Sequence, residues 1–151
     1  MEGRITIKGR IKEIIVTSTG EKVPPGDLEL ALLADPALEQ AFVVGENRPF
    51  IACVAVLKPG DWQRMAADLG LNPQEAGSLN HPSVHRAVLA RMEKNTASFP
   101  RYAVPRAVHL TLTPWTIENT FMTPTLKLKR NNLMGHFSEA IEGMYQKSGA
   151  R

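Results

Sequence analysis

Ala41-Phe42-Val43-Val44-Gly45 leads into Glu46-Asn47-Arg48-Pro49 and then into Phe50-Ile51-Ala52-Cys53-Val54-Ala55-Val56-Leu57. An apolar run, a polar break with turn chemistry and a second apolar run read as strand, turn, strand. The second run contains no charged residue, so it suits a strand covered on both faces rather than one with a wet side. Cys53, the single cysteine, sits inside it and reads as a small buried hydrophobe. One cysteine also excludes a disulfide framework within the chain.

Toward the N-terminus, Glu13-Ile14-Ile15-Val16-Thr17 is β-branched and reads as a strand. Ser18-Thr19-Gly20-Glu21 is turn chemistry, and residues 21–23 return as the second arm of a hairpin. Pro24-Pro25 stops the pairing, and Pro25 suits the first turn of a helix carrying Leu28 and Leu32, which should end near Asp35-Pro36. Residues 4–8 alternate as a short strand. Because it starts almost at Met1, with no apolar leader, the expectation is a piece of something longer and a cytoplasmic location.

Toward the C-terminus, Trp62, Met65, Ala66 and Leu69 are spaced for an amphipathic helix after Asp61. Residues 71–80 read as loop. Pro82 opens a helix running to about Asn95, with Val84, Val88 and Met92 on one face. Residues 107–112 are a strand candidate, and Leu126 and Leu128 alternate with Lys127 and Lys129 in a short extended segment. Leu133, Phe137, Ala140, Ile141 and Met144 form the stripe of one C-terminal helix. The expected fold is α+β: an N-terminal β-hairpin followed by a small, mostly antiparallel three-stranded sheet flanked by helices.

The chain has 151 residues, the size of one domain. Eighteen basic and 15 acidic side chains leave a net charge of +3, too small and too mixed to make nucleic-acid binding the default. His81 and His85 are four apart, but Pro82 starts a helix between them and no third ligand stands nearby. They predict a capping or loop residue at His81, not a metal site. Ser18-Thr19-Gly20-Glu21-Lys22 lacks the glycine spacing and the adjacent Lys-hydroxyl pair of a phosphate loop. What remains is a hairpin tip whose backbone amides are open to an anion. Lys127-Leu128-Lys129-Arg130 is the densest basic cluster, beside Thr123-Pro124-Thr125. It reads either as a solvated edge or as cations reaching for phosphate or carboxylate.

The stretch from Gly9 to Pro25, Gly9-Arg10-Ile11-Lys12-Glu13 and the hairpin after it, resembles the hinge and following hairpin of the AMP-forming acyl-CoA synthetases. Pro114-Trp115-Thr116-Ile117-Glu118-Asn119 and Thr123-Pro124-Thr125-Leu126-Lys127-Leu128-Lys129-Arg130 resemble the C-terminal signatures of that family's long-chain branch. The resemblance implies that residues 1–10 are a residual strand and hinge from a large N-terminal adenylation domain, and that residues 11–151 are the C-terminal lid. It implies a fatty acid–CoA ligase that makes an acyl-adenylate from fatty acid and ATP and then passes the acyl group to coenzyme A. ATP and Mg2+ would be held mainly by the N-terminal domain of the same polypeptide, and any peripheral membrane association would run through that domain.

By the same resemblance, Lys127 matches the catalytic lysine of adenylation. Arg10 matches the arginine on the adenylate's ribose or phosphate, and Lys12 the hinge. Ser18, Gly20, Glu21 and Lys22 match the hairpin tip that lines the coenzyme A channel. Lys129 and Arg130 read as supporting surface, and no metal ligand is expected in this chain. The competing reading is a free-standing acyl- or nucleotide-binding or regulatory module without ligase activity. A small nucleic-acid binder fits less well, since the two Trp, two Tyr and five Phe fall mostly in apolar patterns.

Overall fold

The computed structural model describes residues 14–75, 77–125 and 127–149. In chain order the elements are β1 (Ile15–Val16), β2 (Lys22–Val23), α1 (Pro25–Leu32), β3 (Leu38–Val44), β4 (Ala52–Leu57), α2 (Pro59–Asp68), α3 (Pro82–Asn95), a 3-10 turn (Arg101–Ala103), β5 (Ala107–Thr111), α4 (Arg130–His136) and α5 (Ser138–Gly149). Prolines open three of the helices, at Pro25, Pro59 and Pro82, where the missing N–H costs no intrahelical bond. His81 caps α3, its Nδ1 accepting the Ser83 amide at 3.1 Å, as the proline between the two histidines requires.

The α+β architecture expected from the sequence is present. The antiparallel hairpin β1–β2 pairs Ile15 with Val23 and Val16 with Lys22. A separate three-stranded sheet has the order β3-β4-β5, with a long antiparallel β3–β4 pairing and a parallel β4–β5 pairing. The parallel pairing follows from the connection: α2, α3 and the 3-10 turn lie between β4 and β5, a crossover long enough to bring the chain back in the same direction.

Alternation along the strands builds two cores. Ala41 and Val43 of β3, Cys53, Ala55 and Leu57 of β4, and Val108 and Leu110 of β5 face α1, α2 and α3 through Leu28, Leu32, Trp62, Met65, Val84, Val88 and Met92. Phe42 and Val44, with Ala52, Val54 and Val56, face α4, α5 and Trp115 through Leu133, Ile141, Met144 and Tyr145. Every residue of β4 is buried, which is why the second apolar run carries no polar alternation. Each large side chain so covered contributes about 1.5–3 kcal/mol. Burial pushes the Cys53 thiol pKa up, so it stays protonated and inert.

Two elements differ from the sequence reading. The helix expected after Asp61 begins at Pro59, because the proline suits its first turn. The C-terminal stripe is split into α4 and α5 at Phe137, whose backbone (φ −100°, ψ 16°) leaves the helical region. Gly135 weakens the last turn of α4, and the Phe137 ring is engaged by Trp115, Phe121 and His136. The bend lets Leu133 and Ile141 both reach the same core, so a single apolar periodicity spans two helices.

Both sheet edges are closed by side chains. At the β3 edge, the Val43 amide donates to Glu29 Oε2 at 2.8 Å. At the β5 edge, Asn80 pairs like a strand residue: its Nδ2 donates to Leu110 O at 2.9 Å, and its Oδ1 accepts the Leu110 amide at 2.8 Å. Such bonds occupy edge groups that would otherwise be open to another strand.

Candidate functional site

Two separate groups of the residues singled out in the sequence are assembled, and β3 is the reference for both. The first is the Lys127 loop. Gln40 of β3 clamps the incoming segment, with Nε2 donating to Trp115 O at 2.8 Å and the Trp115 amide donating to Oε1 at 2.6 Å. Asn119 then folds the turn: its Oδ1 accepts the Thr116 amide at 2.8 Å, and its Nδ2 donates to Pro114 O at 3.0 Å. The Trp115 ring is buried, so the segment Pro114 to Asn119 is a structural clasp feeding the loop.

The loop is a narrow hairpin-like excursion. Met122 bridges Leu128, the Lys129 amide donates to Phe121 O at 2.9 Å and the Thr123 amide to Lys127 O at 2.8 Å. The Lys127 amide donates to Thr123 Oγ1 at 3.0 Å, which explains the value of a hydroxyl four residues before the lysine. Lys127 is exposed and lines a groove of about 740 Å³ with Pro24, Leu30, Leu33, Gln40 and Met122. Leu30 is 70% exposed beside it, so the groove sets exposed apolar surface next to charged groups, Asp27, Glu29 and Arg130 also being in its lining.

Arg130 departs from its reading as supporting surface. Its guanidinium forms a bidentate pair with Glu29 at 2.7 and 2.8 Å. Nothing short-range in the sequence pairs these two, 101 residues apart. The one available signal was an acidic residue directly beside Leu28 on an otherwise apolar helix face.

The second group is the hairpin tip. Asn47 and Arg48, just past β3, hold it through Asn47 N–H to Val16 O and Ser18 N–H to Arg48 O, both 2.9 Å, while the Val16 amide donates to Glu46 Oε1 at 3.1 Å. Gly20 has φ +89°, the left-handed conformation the turn requires. Glu21 points into the tip, accepting from the hydroxyls of Thr17 (2.9 Å) and Thr19.

The expectation of open backbone amides does not hold at residues 18, 20 and 21. Ser18 N–H is taken by Arg48 O, Gly20 N–H by Thr17 O at 3.0 Å, and Glu21 N–H by Thr17 Oγ1 at 3.1 Å. A hairpin of two paired residues per arm spends its amides on its own shape. The groups it presents outward are side chains, with Ser18 and Lys22 both exposed.

Arg10 and Lys12 lie outside the described residues. Lys127 and the tip are pinned at different places on the sheet. Gln40 to Val44 is four residues of strand, roughly 13 Å at ~3.3 Å per residue, and the tip is held beyond Val44. Among the described residues no three His, Cys, Asp or Glu side chains cluster in a way that would hold a metal ion. No helix there is long and apolar enough to cross a membrane.

Comparison with known proteins bears on the chain as a whole. Residues 12–149 match the model of the AMP-binding enzyme C-terminal domain. The peroxisomal long chain acyl-CoA synthetase 6 of Arabidopsis thaliana is 34% identical over 98% of this chain and 22% of its own length. The long-chain-fatty-acid–CoA ligase FadD15 of Mycobacterium tuberculosis is 31% identical over 97% of this chain and 25% of its own. The chain thus spans about a quarter or less of these curated relatives. Among solved structures, the A domain of a carboxylic acid reductase from Segniliparus rugosus, in complex with AMP and a co-purified carboxylic acid, superposes with a TM-score of 0.73. It is 25% identical, and the match covers 89% of this chain and 20% of that one.

Proposed function

The chain belongs to the AMP-binding enzyme C-terminal domain family, and from that premise we propose that it is the lid of an AMP-forming fatty acid–CoA ligase. Residues 1–10 would be the end of the adenylation domain leading into the hinge, and residues 11–151, which begin at the hinge beside Lys12, the lid. In the first half-reaction a fatty-acid carboxylate oxygen attacks the α-phosphorus of ATP, an acyl–adenylate bond forms and pyrophosphate leaves. In the second, the coenzyme A thiolate attacks the acyl carbon, the thioester forms and AMP leaves.

Lys127 carries the reading. It is an exposed ammonium on a loop braced by Gln40, Asn119 and Thr123, at the mouth of the same groove. In adenylation two anions meet, and a fixed cation on the developing charge lowers the barrier, more so in a site closed to water. Leu30 and Leu33, both exposed beside that groove, are the kind of rim a second domain covers. The N-terminal adenylation domain of the same polypeptide is the partner that would close it and would hold most of ATP. Mg2+ would be held mainly by that domain as well.

In this reading Arg10 contacts the adenylate and Lys12 is the hinge. Ser18, Gly20, Glu21 and Lys22 form the tip that enters for the second half. Glu21 serves it from inside, by holding Thr17 and Thr19. Lys22 offers an outward cation to a coenzyme A phosphate.

The test uses the full-length enzyme. Lys127→Ala should slow acyl-adenylate formation by about 10²–10³-fold, the equivalent of ~3–4 kcal/mol for one lost transition-state contact. Conversion of supplied acyl-adenylate to acyl-CoA should be largely spared. Equal slowing of both halves in single-turnover measurements would overturn the assignment.

A further inference from the structure

Glu29 has a place in the fold that the proposed chemistry does not use. It is 7% exposed, yet charged. Arg130 Nη2 lies 2.7 Å from Oε1 and Nη1 lies 2.8 Å from Oε2, and Oε2 also accepts the Val43 amide at 2.8 Å. One carboxylate therefore joins α1, the edge of β3 and the first residue of α4. A buried pair of this kind is weak evidence for stability, because well-packed apolar residues often serve as well. Its distinctive property is geometric. A planar fork on a planar carboxylate admits one relative orientation of the two segments that carry it.

Arg130 lies three residues after Lys127. The N-cap of α4, Lys129, makes no side-chain capping bond, so the start of this helix is not set by its own cap. The Arg130–Glu29 fork ties its first residue to α1 and to the edge of β3. Upstream, the Lys127 amide is held by Thr123 Oγ1. Lys127 thus lies in a braced segment, held upstream by Thr123, through the Lys129 amide by Phe121 O, and downstream by the Arg130 fork, and Glu29, Lys127 and Arg130 line one groove.

Resting on the role of Lys127 given above, we propose that Glu29, acting through Arg130, is a positioning residue that aims Lys127 for adenylation and has no part in thioester formation. Glu29→Gln keeps the shape and one acceptor but removes the charge and half of the fork. Small misplacements of a reacting group cost up to about 10²-fold. In single-turnover assays of the full-length enzyme, Glu29→Gln should therefore slow acyl-adenylate formation by about 10–100-fold. KM for ATP and fatty acid and the rate of thioester formation from supplied acyl-adenylate should stay within about twofold.

Arg130→Lys, which keeps the charge and loses the fork, should show the same selective defect. Glu29→Asp, which restores a carboxylate, should recover part of the rate. Thermal melts of each variant accompany the kinetics. If both half-reactions fall together in proportion to lost stability, Glu29 is only structural and the inference is overturned. Lys127→Ala, run in parallel, separates the two claims. A selective defect there without one in Glu29→Gln or Arg130→Lys refutes the positioning role alone. No selective defect in Lys127→Ala refutes the assignment on which it rests.

Discussion

Asp35 closes the link between α1 and β3, and Asp35→Asn tests how that link is held. The carboxylate is 7% exposed and accepts from Arg91 Nε and Nη2, both at 2.7 Å, while Oδ1 also accepts the Ala37 amide at 3.0 Å. The Arg91 hydrogen bonds hold the Asp35 carboxyl below the usual range against burial, which acts in the opposite sense. Asparagine fits the space but presents an amide donor to a guanidinium and can accept on one side only. A hydrogen bond to a charged group contributes about 1.5–3 kcal/mol. The Arg91 side chain is 46% exposed and regains water when released, so the solvent discount brings the expected loss to about 1–2 kcal/mol. For a chain of this size that is about 2–8 °C in Tm.

The pH dependence follows from the same carboxyl. Its folded pKa lies below the unfolded value of ~3.9, so its contribution is complete above about pH 5 and fades as pH falls through the folded pKa. Urea midpoints of the chain and of Asp35→Asn should therefore differ by a constant amount from about pH 7 to pH 5 and draw together progressively as the pH falls further through the folded pKa. No difference at neutral pH would show that the pair contributes nothing. A difference that persists unchanged at the acid end would show that the substitution acts through packing and not through the charge.

Gly20→Val puts a β-branched residue at φ +89° in open space, so the cost is backbone strain of about 1–2 kcal/mol, with no clash to add. In single-turnover assays of the full-length enzyme it should slow acyl transfer to coenzyme A more than adenylation, and the reverse order would remove the hairpin tip from the coenzyme A channel. Leu133→Ala empties a fully buried position under α4 and should cost about 2–5 kcal/mol in thermal or urea melts; a loss below ~1 kcal/mol would mean that this core collapses around the gap.

What could be read in advance was what local chemistry dictates. The apolar run ending at Leu57 announced a strand buried on both faces, and β4 is one. Pro25 and Pro82 placed helix starts at the right residues, and Gly20 placed a turn. Helix continuity failed at Phe137, because one apolar stripe is equally served by two helices packed on the same face. Lys127 stood out as part of a basic cluster, but the devices that hold it did not. Gln40 reaches Trp115 and Glu29 reaches Arg130, across separations of 75 and 101 residues. A side chain that bonds to the backbone or to a single distant partner leaves no periodicity. The same holds for Asn80, which sits in a stretch readable only as loop yet completes the edge of β5.

The arrangement of the pins bears on how one small domain could serve two reactions. Gln40, near the start of β3, holds the Lys127 loop, and residues 46–48, past its end, hold the hairpin tip. One group is bonded to β3 and the other to the turn that directly follows it, and the sheet is locked on both faces by buried side chains. Exchanging one group for the other at a common site then needs no change of conformation within the domain, only a change in its orientation. That distinguishes a rotating lid from a closing loop, whose own backbone must refold with each step. On the proposed reading, the satisfied amides at 18, 20 and 21 would keep the shape of the tip while it is out of the site. On this argument a substitution that loosens one pin impairs one half-reaction. Only damage to the shared sheet, such as a cavity beneath Phe42, would impair both.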